Sequence, residues 1–127
     1  MRGGTAPRPI TGSPSPGSPN FFLLLGPNTG LGHNSVVFMI ESQVQHVMSC
    51  LRQLAKENGQ TIEVSPSALR RYNDRIQRRL RRAVWSQGGC TSWYLDADGV
   101  NRALWPGFSF EYWARTRRAR RADYLIR

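Results

Sequence analysis

The chain has 127 residues and a formal net charge of +10, from 18 basic and 8 acidic side chains. Its hydrophobic content of 39% is too high for a wholly disordered chain. No apolar run approaches the roughly 20 residues that cross a bilayer, which excludes a transmembrane segment. Cys50 and Cys90 cannot build a disulfide framework or a four-ligand zinc site. We therefore predict a cytoplasmic protein with free thiols and no metal site.

Residues 1–19 are rich in proline, glycine and serine, with the run GSPSPGSP at 12–19. Such a segment cannot bury enough apolar surface to offset the entropy lost on ordering. It also contains no apolar stretch of the kind that a signal peptide has. We predict a disordered tail over residues 1–19 and a folded region over residues 20–127.

The folded region begins with a strand, a loop and a helix. Five large apolar residues at 21–25 precede Gly26 and Pro27, which predicts a fully buried strand of the parallel type. A loop of glycine and small polar residues follows. A helix then begins at Asn34 or Ser35 and ends before Asn58 and Gly59. Its apolar positions recur every three or four residues: Val37, Ile40, Val44, Val47, Met48, Leu51 and Leu54.

The second half contains a basic helix and an aromatic region. After a brief strand at 61–64, Ser65 and Pro66 begin a helix that ends near Trp85. Its apolar stripe consists of Leu69, Tyr72, Ile76, Leu80 and Ala83, and its other face carries Arg70, Arg71, Arg75, Arg78, Arg79, Arg81 and Arg82. Beyond it we predict a strand at 91–95, a turn at 96–99, a third helix at 108–121 and a tail at 123–127.

The loop between the first strand and the first helix is the most informative unit of the sequence. Free backbone N–H groups and the positive end of the helix dipole favour an anion or an electron-rich ligand edge there. Gly30 and Gly32 would let the backbone approach such a ligand closely. The loop matches neither Gly-x-Gly-x-x-Gly nor a phosphate-binding loop, so an ordinary turn stays an open alternative.

Two stretches of the chain resemble flavin-dependent monooxygenases of the Baeyer–Villiger type. The first is PNFFLLLGPNTGLGHNS at 19–35, which is similar to a late segment of the flavin domain. The second is GGCTSWYLDADG at 88–99, together with LWPG at 104–107 and FEY at 110–112, which is similar to the C-terminal region. The resemblance runs from about residue 19 to residue 116, and residues 1–18 do not match the family.

The resemblance implies an α/β fragment that is mostly helical. It would contain the last strand, the Gly-rich loop and the long helix of an FAD-binding domain, as an incomplete Rossmann-like fold. It also implies the cofactors FAD and NADP(H). Trp93 would lie in a mobile loop that closes over the nicotinamide and the substrate. The residues implied to pass close to the flavin ring are Gly26, Pro27, Asn28, Thr29 and Gly30.

Members of this family are much longer and carry two Gly-x-Gly-x-x-Gly loops, neither of which occurs in these 127 residues. We therefore expect a truncated monooxygenase-like protein that is inactive alone, and we assign no catalytic residue. Two alternatives remain from the sequence. The chain is a small basic module that binds nucleic acid through its arginine clusters, or it is a subunit that a separately encoded N-terminal flavin-domain half completes.

Overall fold

The structure is a computed structural model that describes residues 14, 15, 17–26, 29, 35–82 and 105–127. This part of the chain is mostly helical, as predicted, with a few short strands. A single 3-10 turn at Arg121–Asp123 precedes its last strand. In chain order the elements are β1 (Pro14–Ser15), β2 (Ser18–Phe22), α1 (Val36–Lys56), β3 (Ile62–Val64), α2 (Pro66–Arg81), α3 (Ser109–Thr116) and β4 (Tyr124–Ile126).

Serine side chains cap the two long helices at the positions that the sequence predicts. The Ser35 hydroxyl accepts a hydrogen bond from the Phe38 amide at the start of α1. The Ser65 hydroxyl accepts one from the Ala68 amide at the start of α2, where Pro66 occupies the first turn. Each cap satisfies one backbone N–H that has no partner within the helix. Both helix starts are thus confirmed, whereas α2 ends at Arg81 with Arg82 as its C-cap, earlier than the predicted end near residue 85.

The C-terminal residues form a strand, so the predicted tail at 123–127 is wrong. β4 pairs antiparallel with β3, and Ile62 lies opposite Ile126 while Val64 lies opposite Tyr124. Tyr124 is buried and Ile126 packs against the same core as Ile62. A three-residue apolar segment is too short to be read as a strand from its own pattern, because its partner is about 60 residues away in the chain.

The predicted third helix is shorter than expected, since α3 ends at Thr116 instead of residue 121. The backbone of Ala119 is engaged by α1 rather than by a continued helix. The Ala119 amide donates to the Ser49 hydroxyl at 3.0 Å, and its carbonyl accepts from the Gln53 side chain. These bonds to α1 replace the helical hydrogen bonds that a longer α3 would need.

The predicted buried parallel strand at 21–25 is wrong in position, pairing and burial. The strand is β2, and it pairs antiparallel with β1 in a hairpin that includes residues we assigned to the tail. Phe21 is 54% exposed. A strand is buried on both faces only between neighbouring strands and covering helices. Within the described residues, β2 has β1 alongside and a side-chain anchor, Asn20, that bonds to Gln60 and Ile62 next to β3.

The core of the described residues consists of two clusters that share the helices. The first joins the middle of α1 and the start of α2 to the β3–β4 pair. The second joins the start of α1 and the end of α2 to α3. The members of the first are Cys50, Ile62, Val64, Ala68, Leu69, Ala119 and Tyr124, and those of the second are Met39, Ile76, Leu80, Trp105 and Tyr112. The predicted apolar stripe of α2 is therefore confirmed at its described positions.

Candidate functional site

The loop that precedes α1 holds five of the six residues predicted to bind a cofactor. The structure describes Gly26 and Thr29, while Pro27, Asn28, Gly30 and the sixth residue, Trp93, lie outside the described residues. Thr29 is 2% exposed, and its hydroxyl donates to the Gly26 carbonyl at 2.5 Å. The hydroxyl of Thr29 therefore ties Thr29 to the backbone of Gly26.

Gln43 connects this loop to two helices and was not recognised from the sequence. Its side-chain oxygen accepts a hydrogen bond from the Leu25 amide at 2.9 Å, and its amide nitrogen donates to the Tyr112 hydroxyl at 3.0 Å. Gln43 is fully buried, so both polar ends need partners. Leu25 has a φ of +52°, a strained conformation for a leucine that this bond helps to hold. Gln43 is thus a positioning residue for the loop.

The first turn of α1 offers free backbone donors next to the loop in the chain. Ser35 satisfies the amide of Phe38 with its hydroxyl and that of Met39 with its carbonyl. The amides of Val36 and Val37 are the first two of α1 and therefore have no acceptor within the helix. No acidic side chain lies in this turn. The positive end of the helix dipole and these two N–H groups can therefore stabilise an anion or an electron-rich ring edge.

His46 lies deeper along α1 and is structural. Its Nδ1 is 2.7 Å from the Thr116 carbonyl and its Nε2 is 2.6 Å from the Tyr124 hydroxyl. Because a carbonyl only accepts, we assign the proton to Nδ1, and Nε2 then accepts from Tyr124. Burial lowers the pKa of His46, against smaller opposing effects of the Thr116 carbonyl and Asp123. The neutral imidazole therefore joins α1 to the C-terminal residues.

Cys50 is a core residue and not a nucleophile. It is fully buried, and this burial raises the pKa of its thiol to about 11, with a smaller opposing effect of Tyr124. The thiol is therefore protonated at neutral pH and lacks the thiolate that nucleophilic chemistry requires. Cys90 lies outside the described residues.

The arginines of α2 are mainly a solvent-exposed face, with two ion pairs to the C-terminal region. Arg79 binds Glu111 through two hydrogen bonds of 2.5 and 3.0 Å, and Arg71 lies 2.9 Å from Asp123. The pairing with Arg79 lowers the pKa of Glu111, and Arg115 adds to this effect. A groove of about 840 Å³ runs between α2 and the C-terminal residues. Its lining includes Arg71, Arg75, Arg115, Arg117, Arg118 and Arg120.

Within residues 14–15, 17–26, 29, 35–82 and 105–127, no three histidine, cysteine or acidic side chains lie together as a metal site would require. In the same ranges, no helix combines the length and the apolar character that crossing a bilayer demands.

Comparison with known proteins identifies three informative relatives. A Baeyer–Villiger monooxygenase of Streptomyces coelicolor is 46% identical over 99% of this chain, and one of Pseudomonas aeruginosa is 46% identical over 94%. An FAD-binding monooxygenase of Aspergillus niger is 36% identical over 95%. No protein-family model matches the chain, and no solved structure matches it significantly.

The extent of these matches corrects one expectation and shows how much of its relatives' length the chain covers. An alignment over 99% of the chain includes most of residues 1–18, so the expectation that these residues have no counterpart in the family is wrong. The chain spans 23% of the length of the Streptomyces and Pseudomonas relatives and 21% of the Aspergillus relative. These 127 residues are therefore a segment, about a quarter in length, of a protein of the Baeyer–Villiger monooxygenase family.

Proposed function

We propose that this segment forms the C-terminal part of a flavin- and NADPH-dependent monooxygenase and contributes one wall of its flavin site. The observation that carries the proposal is the 46% identity, over 99% of the chain, to a protein named as a Baeyer–Villiger monooxygenase. At that identity the segment and its counterpart have the same fold, so the loop and α1 would occupy the corresponding places in a larger Rossmann-like domain.

The residues present fit the flavin at the start of α1. The amides of Val36 and Val37 and the helix dipole provide positive potential, which suits the electron-rich edge of a reduced flavin. Gly26 and Gly30 would let the backbone approach the ring closely. Pro27, Asn28 and Thr29 complete this loop. FAD supplies the oxygen chemistry when it is bound and reduced, and the name of the Aspergillus relative supports FAD in this family.

NADP(H) and Trp93 enter the proposal through the resemblance alone. The aromatic stretch around Trp93 would close over the nicotinamide and exclude water from the reacting centre, as loops of this kind do in other enzymes. A ketone is the substrate class that the names of the Streptomyces and Pseudomonas relatives suggest.

The 127 residues require a flavin-domain portion to act. No Gly-x-Gly-x-x-Gly loop occurs in them, and such loops bind the pyrophosphate of FAD and NADPH. We therefore propose no monooxygenase activity for these residues alone. We propose instead that an N-terminal portion, in the same or a separate chain, supplies the dinucleotide sites. A cytoplasmic location is part of the same proposal.

A chimera tests this function. These 127 residues replace the matching segment of the Streptomyces relative, and the purified chimera is assayed for bound FAD and for NADPH-dependent oxygen consumption with a ketone. We expect both in the chimera and neither in the 127 residues alone. A chimera that folds but retains no FAD would contradict the proposal, and so would flavin-dependent activity of the 127 residues by themselves.

The nucleic-acid alternative gains no support from the comparisons, because the relatives matched here are named as monooxygenases. The exposed arginines of α2 lie opposite its buried stripe, as charged residues on a solvated helix face do.

A further inference from the structure

Most of the apolar face of α1 is exposed within the described residues. The repeating apolar pattern predicts that this face packs into a core, yet Val37 is 62% exposed and Met48 is 45% exposed. Val36, Val44 and Leu51 are also exposed. The residues that α1 does bury are largely polar or small and lie on another side: Met39, Ser42, Gln43, His46 and Cys50.

Helical geometry divides α1 into three sectors, since each residue advances the helix by about 100°. The buried residues fill one sector. When α1 is viewed along its axis, Ser42 lies at one edge of this sector and Gln43 lies at the other. The charged and amide side chains Glu41, Gln45, Arg52 and Lys56 share a second sector with Phe38. A third sector, about 120° wide, contains Val36, Val37, Ile40, Val44, Val47, Met48 and Leu51, with Leu54 and Ala55 in the last turn. Within it Ile40 and Val47 are half-buried, and Leu54 packs against the first core cluster. We call this third sector the outer apolar face.

The outer apolar face is not the solvated side of the helix, because α1 already has a charged sector for that role. Monomeric soluble proteins rarely leave a contiguous apolar stripe of this length exposed, and such a stripe marks an interaction surface. Leu24 and Leu25 in the preceding loop are also exposed, and the Leu25 amide bonds to Gln43 at the edge of the buried sector next to the apolar one.

We infer that the outer apolar face is the surface on which the remainder of the flavoprotein docks, an inference that rests on the proposed function. The occupant is the portion of the family fold that these residues do not span, which is more than three-quarters of the length of the relatives. The buried, hydrogen-bonded side of α1 faces its own segment, and its apolar side faces the flavin-binding portion. Docking through this face would fix the start of α1 against the cofactor.

Two methionines on α1 provide a direct test. Met48 lies on the outer apolar face, whereas Met39 is fully buried in the core of the segment and serves as an internal control. Limited oxidation followed by mass spectrometry compares the 127 residues alone with the Streptomyces chimera. We expect Met48 to react in the isolated segment and to become at least tenfold slower in the chimera, while Met39 stays protected in both.

The outcomes separate this inference from the proposed function. Equal reactivity of Met48 in both proteins, in a chimera that binds FAD, would overturn the docking surface and leave the proposed function intact. Protection of Met48 in a chimera that binds no FAD would support docking and contradict the proposed function. Slow oxidation of Met48 in the isolated segment, with a dimer in sedimentation, would overturn the inference in favour of a second copy as the occupant.

A pair of substitutions provides a second test if the Streptomyces chimera folds poorly. Val44→Asp places a carboxylate on the outer apolar face, and Gln45→Asp places one on the adjacent charged sector, where only an exposed bond to Trp113 is lost. In chimeras based on the Streptomyces or the Pseudomonas relative, we expect Val44→Asp to lower the yield of FAD-containing protein at least tenfold relative to Gln45→Asp. Equal yields of the two variants would overturn the inference.

Discussion

A row of polar side chains on α1, of which Gln43 and His46 are buried and Gln53 is half-buried, organises the described residues. Gln43, His46 and Gln53 lie three or seven residues apart and bond to the loop, α3 and the C-terminal residues. Each bond crosses at least 18 positions of the sequence, so the row holds together segments that are distant in the chain. Because a buried polar group without a partner destabilises the fold, these bonds also select one arrangement of the segments.

Substitution of Gln43 tests whether this side chain anchors the loop that precedes α1. Gln43→Ala leaves the Leu25 amide and the Tyr112 hydroxyl without this partner, and we expect the free energy of unfolding to fall by about 1–3 kcal/mol. Gln45→Ala removes an exposed bond on the same helix and should cost about 0.5 kcal/mol or less. Urea unfolding followed by circular dichroism measures both values. Equal costs for the two variants would show that Gln43 does not anchor the loop.

The lowered pKa of His46 predicts that the stability of the folded chain depends on pH. Its pKa in the folded chain lies below the ordinary value of 6.5, so the unfolded chain takes up the proton first as the pH falls. Stability should therefore be complete above pH 6.5 and decrease as the pH falls below it. Glu111 has a lowered pKa as well, but its stabilising effect is lost only below its ordinary value of 4.5. The interval between these values isolates the contribution of His46.

The thermal midpoint between pH 6.5 and pH 4.5 measures this effect. We expect a decline in the parent chain and a flatter profile in His46→Gln. His33→Gln removes the other histidine of the chain and should keep the decline. A decline of the same size in His46→Gln would place the titrating group elsewhere.

At the residue scale the sequence indicates capping well and buried polarity poorly. Ser35 and Ser65 are recognisable because the residue type and the start of an apolar pattern coincide. Gln43 is not recognisable in this way, because its partners Leu25 and Tyr112 are 18 and 69 positions away. Its one signal is a helical spacing of four and seven residues from Met39 and Cys50.

At the scale of elements, α1 and α2 bury different kinds of face. α2 buries the apolar stripe that its sequence pattern predicts, including Leu69, Ile76 and Leu80. α1 buries a mixed polar face and leaves most of its apolar stripe exposed. Periodicity locates an apolar stripe but does not tell which neighbour covers it. The same limit explains β2, whose apolar run predicts burial that requires a larger sheet.

This difference between the helices predicts unequal effects of one kind of substitution. Leu69→Ala removes a side chain that is 1% exposed in the core, and we expect a loss of about 2–5 kcal/mol in the free energy of unfolding. Leu51→Ala removes one that is 41% exposed on the outer apolar face and should cost about 0.5 kcal/mol or less. Urea unfolding of the 127 residues compares the two. A loss at Leu51 as large as that at Leu69 would mean that the outer apolar face is covered within the segment itself.

At the scale of the whole molecule, the size of the chain and the exposure of its outer apolar face agree. A chain that spans 23% of its relatives is expected to leave uncovered the surface that meets the rest of the fold. The family was recognisable from the sequence because two long motifs occur in the expected order. The pairing of β4 with β3 was not recognisable from the sequence, because no local pattern specifies which strands pair across about 60 residues.

The most direct test of the central claim is a structure of the chimera with FAD bound. We expect backbone atoms of the loop at residues 26–30, or the amides of Val36 and Val37, to lie within about 3.2 Å of polar atoms of the flavin ring. A flavin ring that contacts none of these groups in the folded chimera would contradict it.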